Sequence, residues 1–339
     1  MTDPANIIRI SANQMKSEFF RILRKHGLTD NKAEKCAGIF MTNSLEGVYS
    51  HGVNRFHRFV SNIIDGLIKP AAEPTLINSS GALEQWNGNL GPGPLNALFA
   101  TDRAMELGHE YGIGLVALAD TNHWMRGGTY GWHAADKGFV FIGWTNTEAN
   151  MPAWGAKDAR LGNNPLVFAI PYGDKAIVLD FAMSLYSYGR MEAYKLGMKK
   201  LPFPGGYNIK GELTTDPGVI LETRRTLPIG YWKGAGLSLV LDVLAAILTG
   251  GLSTHEITRR KAEYGLSQIF IAIILKSLRN YPGIEETISR IITDYSKSES
   301  ADGKARIRYP GENILKIRSE NERNGIPVNI GVWNKITAL

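Results

Sequence analysis

The stretch Glu46–Phe59, EGVYSHGVNRFHRF, sets His51 and Arg55 four residues apart. That is one turn if the segment is helical, so the two side chains project together. Val53, Phe56, Val60, Ile63 and Leu67 follow at spacings of three, four, three and four, the repeat of a buried helical stripe. At about 100° per residue, His51 and Arg55 fall opposite that stripe. A group able to pass a proton and a fixed cation thus share one face. Reduction of a keto acid uses such a pair: an acid protonates the developing alkoxide, and a guanidinium fork holds a carboxylate. Spacing alone more often marks plain helix surface. Gly52 weighs toward function, because a glycine in or entering a helix costs about 1 kcal/mol relative to alanine. Close approach by a ligand or a tight helix start would each explain it. Tyr49 and Ser50 offer hydroxyls or an N-cap, while His57 and Arg58 read as solvated or structural.

Other candidates lie at the ends of apolar runs. His123, in DTNHWMRGG, directly follows Ile113–Ala119; loops leaving strand ends commonly meet ligands, although a histidine beside a tryptophan is as often a packed polar handle. Asn146 and Asp180 also end strand-like runs, and Asp180 stands between Leu179 and Phe181. An isolated buried carboxylate is costly, so Asp180 is either paired, an orienter of an imidazole, or a partner for a cofactor hydroxyl. Trp232–Lys233 precedes Gly234, Gly236 and a strongly apolar helix. Such glycines present backbone N–H groups to phosphate, or simply let a helix pack closely. Pro310–Gly311–Glu312–Asn313 reads as a turn into a helix.

Several chemistries are excluded. No intact GxGxxG exists: Gly88–Gly93 (GNLGPG) follows a polar segment, and Gly112 and Gly114 precede a strand instead of following one. A Rossmann fold is therefore not expected. HExxH, Cys/His clusters, Walker loops and GxSxG elbows are also missing, so neither a metal site nor a serine nucleophile is expected. Cys36 is the only cysteine. The net charge of +6, from 38 basic and 32 acidic residues, is scattered. It favours a small anionic substrate or a dinucleotide and argues against nucleic acid. No apolar run approaches a membrane span and no secretory signal opens the chain, so a cytoplasmic location is expected.

The elements that must position these groups change character along the 339 residues. The first seventy or so predict helices: one capped by Ser11 and stopped at Gly27, a second from Thr29–Asp30 to Leu45, and the His51 helix ending near Gly66. Strands are predicted at Ile113–Ala119, Val140–Thr145, Leu166–Ile170, Ala176–Leu179 and Gln268–Ile274, the third and fourth as an antiparallel pair. Helices are predicted near Leu95–Glu110 and Leu237–Thr249, and again from about Ile284. The expected architecture is α+β: a helical domain of residues 1–75 completed by 300–339, and an α/β domain of residues 76–299.

The ordered motifs SHGVNRF, NHWMRGGTYGW, GWTN, MPAWGAK, GNNPL, VLDFAMS, GYWKGAGLSLVLD, YGLSQIFIAI and RYPGE resemble the malate/L-lactate dehydrogenase type 2 family of NAD(P)-dependent 2-oxoacid reductases. The resemblance runs from about Ser11 to the C-terminus. It implies a non-Rossmann, mixed, largely antiparallel α/β domain, a helical domain from both termini, and a homodimer. It implies NAD, with NADP possible, and His51 as proton donor. Substrate contacts are implied at Arg55, His123 and Asp180. Cofactor contacts are implied at Ala176, Ile177, Val178, Leu179, Asp180, Phe181, Ala182, Trp232, Lys233, Gly311, Glu312 and Asn313. Family substrates range over 2-oxo acids, ureidoglycolate and cyclic imino acids. Asn163 in GNNPL departs from the threonine common in relatives.

Overall fold

The computed structural model describes residues 6–301, 303 and 306–339. Strand β1 (Ile7–Ile10) leads into α1 (Ala12–Lys25), whose N-cap Ser11 accepts the Gln14 N–H at 3.2 Å, and then α2 (Asp30–Leu45). A 3-10 turn, Tyr49–His51, precedes α3 (Val53–Ile64). The stripe Val53, Phe56, Val60 and Ile63 is buried as its periodicity predicts. Phe56 stacks on Phe19 of α1 with ring centroids 4.0 Å apart.

Next come β2 (Thr75–Ser80), β3 (Leu83–Asn87), α4 (Gly93–Tyr111), β4 (Ile113–Thr121), α5 (Gly128–Ala135) and β5 (Phe139–Thr145). A short ribbon, β6 (Met151–Pro152) with β7 (Ala159–Leu161), leads to β8 (Leu166–Tyr172) and β9 (Lys175–Phe181). An excursion follows: α6 (Tyr188–Leu196), the pair β10 (Gly206–Tyr207) and β11 (Leu213–Thr214), and α7 (Pro217–Thr223). It has a small core of its own built on Tyr186, Met191, Leu201 and Ile220. The chain ends with α8 (Trp232–Thr249), α9 (Thr254–Thr258), β12 (Leu266–Ile274), α10 (Ile284–Ser296), α11 (Glu312–Asn324), β13 (Ile326–Asn329) and α12 (Ile330–Thr337).

The main sheet has seven strands in the order β2-β3-β4-β12-β5-β8-β9. Every pairing is antiparallel except β3 with β4. This is the mixed, largely antiparallel α/β architecture expected. β12 is central because its run LSQIFIAII is apolar on both faces. Phe270 packs with Ala97, Ala104 and Phe141 beneath α4 and α5, whereas Ile269 packs with Trp144, Leu241 and Ala245 beneath α8. β1 pairs antiparallel with β13, and Ile326, Val328, Trp333 and Ile336 enter the same core as α1, α2 and α3.

Three expectations are corrected. First, α8 starts at Trp232, so Gly234 and Gly236 lie inside its opening turns and not ahead of it. A Cβ on Gly234 would stand 2.1 Å from the Ile229 carbonyl oxygen, so close packing explains that glycine. Second, α8 spans 18 residues at mean hydropathy 1.5, long and apolar enough to cross a membrane by composition. Its inner face packs instead on β12, β4 and β5. Third, Gly88–Gly93 follows strand β3, not merely a polar segment. A Cβ on Gly93 would lie 2.4 Å from the Asn122 carbonyl oxygen and 2.3 Å from that of His123. These glycines seat the loop carrying His123.

Candidate active site

His51 and Arg55 do not share a helix. Gly52, at φ −117° and ψ −122°, is both the end of the 3-10 turn and the N-cap of α3. The reason is α2. A Cβ on Gly52 would fall 2.2 Å from Ser44 Oγ and 3.0 Å from the Phe40 carbonyl oxygen. Ser44 Oγ accepts the Val53 N–H at 2.8 Å and donates to the Phe40 carbonyl at 2.9 Å. Asn43 Nδ2 donates to the His51 carbonyl at 3.0 Å, and Asn43 Oδ1 accepts from Thr129 Oγ1 at 2.6 Å. The C-terminal end of α2 thus fixes the turn that presents His51. Neither side chain lies on open surface as the periodicity implied: both are half-buried, covered by segments distant in sequence.

His51 Nδ1 lies 3.0 Å from Ser50 Oγ, and among the described residues Nε2 has no partner. Burial, then the nearby cations Arg55 and Arg126, push the imidazole pKa down to about 4. The ring is therefore neutral at pH 7. His123 stacks near it, centroids 5.8 Å apart with the planes 19° from parallel. The Met125 N–H donates to His123 Nδ1 at 3.0 Å. That bond needs a lone pair on Nδ1, so His123 is held with its proton on Nε2. Burial, followed by Arg55 and His51, depresses its pKa well below the ordinary value.

The Arg55 guanidinium makes no hydrogen bond or ion pair among the described residues. Burial, followed by Arg58, lowers its pKa, while Glu263, Glu192 and Glu148 act in the opposite sense. An enclosed, unpaired guanidinium is ready for a planar anion. His57 and Arg58 are exposed, as read.

Asp180 stands near the end of β9, open to solvent on one side. Oδ2 accepts the Gly128 N–H at 2.8 Å, at the start of α5. Surrounding protein raises its carboxyl pKa, against the opposing pull of Arg126 and the Gly128 N–H. Ser50, not Asp180, is the partner of the His51 ring. Arg126 is buried and paired with Glu46, which is itself buried and also paired with Arg318 of α11. Glu46, Asn43, Ser44 and Arg126 were missed as positioning groups. Glu46 and Arg126 lie 80 residues apart, so no local pattern links them.

The residues expected to hold a nicotinamide dinucleotide divide between two places. Val178 of edge strand β9 donates its N–H to the Pro310 carbonyl at 3.1 Å, and a Cβ on Gly311 would stand 3.1 Å from the Val178 nitrogen. Gly311, at φ +90°, starts α11, whose N-terminus has no side-chain cap. An uncapped helix start against a sheet edge suits a phosphate, and Asp180 farther along β9 suits a ribose hydroxyl. These residues fit the group. Trp232 and Lys233 sit elsewhere, exposed in the first turn of α8.

Comparison with known proteins identifies the family. The family model for malate/L-lactate dehydrogenase matches residues 10–337. A 2,3-diketo-L-gulonate reductase of Salmonella newport (strain SL254) is 46% identical over 333 residues, 98% of this chain and 100% of that protein. A malate dehydrogenase of Pyrococcus horikoshii OT3 superposes with a TM-score of 0.90 at 26% identity, covering 100% of this chain and 97% of that one. One from Entamoeba histolytica gives 0.93 at 24% identity over 98% and 97%, a likeness of fold. The chain belongs to the malate/L-lactate dehydrogenase family, and so is an oxidoreductase acting on CH–OH and keto groups.

Proposed function

We propose that this chain reduces 2,3-diketo-L-gulonate to 3-dehydro-L-gulonate, with His51 as proton donor and Arg55 as carboxylate clamp. The observation that carries the reading is the pairing of an unpartnered His51 Nε2 with an unpaired, enclosed Arg55. The substrate is taken from the Salmonella relative. The bound nicotinamide supplies the hydride. Arg55 holds the carboxylate by two parallel hydrogen bonds, which sets the neighbouring carbonyl toward His51. As imidazolium, His51 gives its proton to the nascent alkoxide, and Ser50 Oγ on Nδ1 keeps Nε2 aimed. In the reverse direction neutral His51 takes the proton. His123, carrying a permanent Nε2–H, donates a further hydrogen bond to substrate oxygen, and Asp180 lies where substrate and cofactor meet.

The reading extends to cofactor, assembly and place. Ala176 to Ala182, along β9 and the residue just past its end, hold the dinucleotide with Gly311, Glu312 and Asn313, NAD in preference to NADP; Trp232 and Lys233 contact it from a second place, the first turn of α8. Residues 1–75 with 300–339 form the helical unit and 76–299 the α/β unit. The enzyme is a homodimer and works in the cytoplasm. A panel of 2,3-diketo-L-gulonate, oxaloacetate, pyruvate and a cyclic imino acid, each with NADH and NADPH, tests the reading. Turnover is expected to be fastest with 2,3-diketo-L-gulonate and NADH. A preference for any other member would overturn the substrate assignment.

A further inference from the structure

The excursion after β9 reaches back to the catalytic turn. Gly189, in the first turn of α6, is so close to Ser50 that a Cβ there would stand 2.6 Å from Ser50 Cβ. Glu192 follows three residues later, on the same side of α6. Tyr188 Oη donates to the Asn150 carbonyl, tying α6 to the segment that carries Glu148. The Glu148 N–H in turn donates to Glu263 Oε1 at 3.3 Å. These contacts bring α6, the Glu148 segment and Glu263 together beside the turn that carries Ser50 and His51, and all three carboxylates act electrostatically on Arg55. Arg224, 3.9 Å from Glu148, and Arg58 are the other charges there. None of the three carboxylates pairs with Arg55, and the enclosed His51 Nε2 beside it is likewise unpartnered.

We propose that Glu192, with Glu148 and Glu263, forms a specificity wall that admits a 2-oxo monocarboxylate bearing hydroxyls and rejects a dicarboxylate. This rests on the reduction at His51 and Arg55 proposed above. Ionised carboxylates only accept hydrogen bonds, so hydroxyls on the tail of a sugar acid satisfy them. Arg55 has charge for one carboxylate. A second carboxylate, as in oxaloacetate, would meet Glu192, which has no ion-pair partner among the described residues, while Glu148 is held by Arg224 and burial raises the pKa of Glu263; an unpaired like charge of this kind sets specificity by repulsion.

The test compares kcat/KM for 2,3-diketo-L-gulonate and for oxaloacetate, with NADH, in wild type, Glu192→Gln, Glu192→Asp and the double variant Glu192→Gln/Glu148→Gln. Glu192 is exposed, so Glu192→Gln is expected to fold normally, as circular dichroism would check. The ratio of sugar acid to oxaloacetate is expected to fall about tenfold in Glu192→Gln, mostly through KM, and further in the double variant. Glu192→Asp is expected to keep most of it. A ratio within twofold of wild type in both Gln variants, with turnover intact, overturns the wall and leaves the proposed reduction standing. Wild type that prefers oxaloacetate, or turns over neither acid, overturns both.

Discussion

His51 illustrates how little a residue's identity says before its surroundings are known. Its imidazole is neutral at pH 7 in the free protein because burial and the Arg55 and Arg126 cations hold its pKa near 4. Reduction needs the imidazolium, so its rate should fall as pH rises above the pKa of the loaded site. Oxidation needs the neutral ring, so its rate should fall as pH drops below that pKa. A carboxylate seated on Arg55 offsets one of the two cations, which moves the pKa upward. Titrating His51 by ring NMR, with and without oxamate, is expected to show that upward movement on binding. An unchanged or lowered value would count against Arg55 as the anion's partner.

At the scale of elements, the site exists because α2, the loop before α5, and α6 converge on one short turn. Helical periodicity identified the buried stripe of α3, but of the two candidate residues only Arg55 lies on that helix, and His51 precedes it in the 3-10 turn. It could not show that Gly52 divides them or that distant segments cover them, since both follow from contacts between elements. Gly52 called for an explanation in the sequence, and packing against Ser44 and Phe40 supplies one. Gly52→Ala is expected to cost about 1–3 kcal/mol by forcing the turn off α2. It should also reduce turnover by displacing His51. Denaturant unfolding together with steady-state rates would check this, and wild-type values of both would contradict it. The strands β4, β5, β8, β9 and β12 were legible because their runs are apolar and bounded by turn residues. β2 was not, since all six of its residues are exposed. Nor were β1 and β13, which are four residues each and meet from opposite ends of the chain. The partner of the His51 ring was legible only as one option among several. Ser50 was noticed for its hydroxyl, while Asp180, the acid considered for that task, is engaged by Gly128.

The whole molecule adds two features that no motif contains. Glu46, paired with both Arg126 and Arg318, joins the His51 turn, the His123 loop and α11, so the residues proposed for proton transfer and for the cofactor belong to one charged joint. Removing one partner of such a buried cluster is costly, whatever the net worth of the intact set. The second feature is the outer face of α8, where Trp232, Leu239, Val240, Val243 and Ile247 are all exposed on one side of an apolar helix. A contiguous patch of this kind marks an interaction surface, and a second copy of the chain is the occupant that the proposed homodimer supplies. Val243→Glu is expected to shift the protein from dimer to monomer in light scattering. A wild-type monomer, or a variant dimer of unchanged affinity, would contradict that assignment.

The proton donation proposed for His51 is tested most directly in His51→Ala, by following turnover of 2,3-diketo-L-gulonate and NADH binding in the same preparation. Turnover should fall by roughly 10²–10⁴-fold, the usual worth of a positioned general acid, with NADH affinity close to wild type. A variant that keeps turnover within a few fold of wild type would contradict the role given to this imidazole.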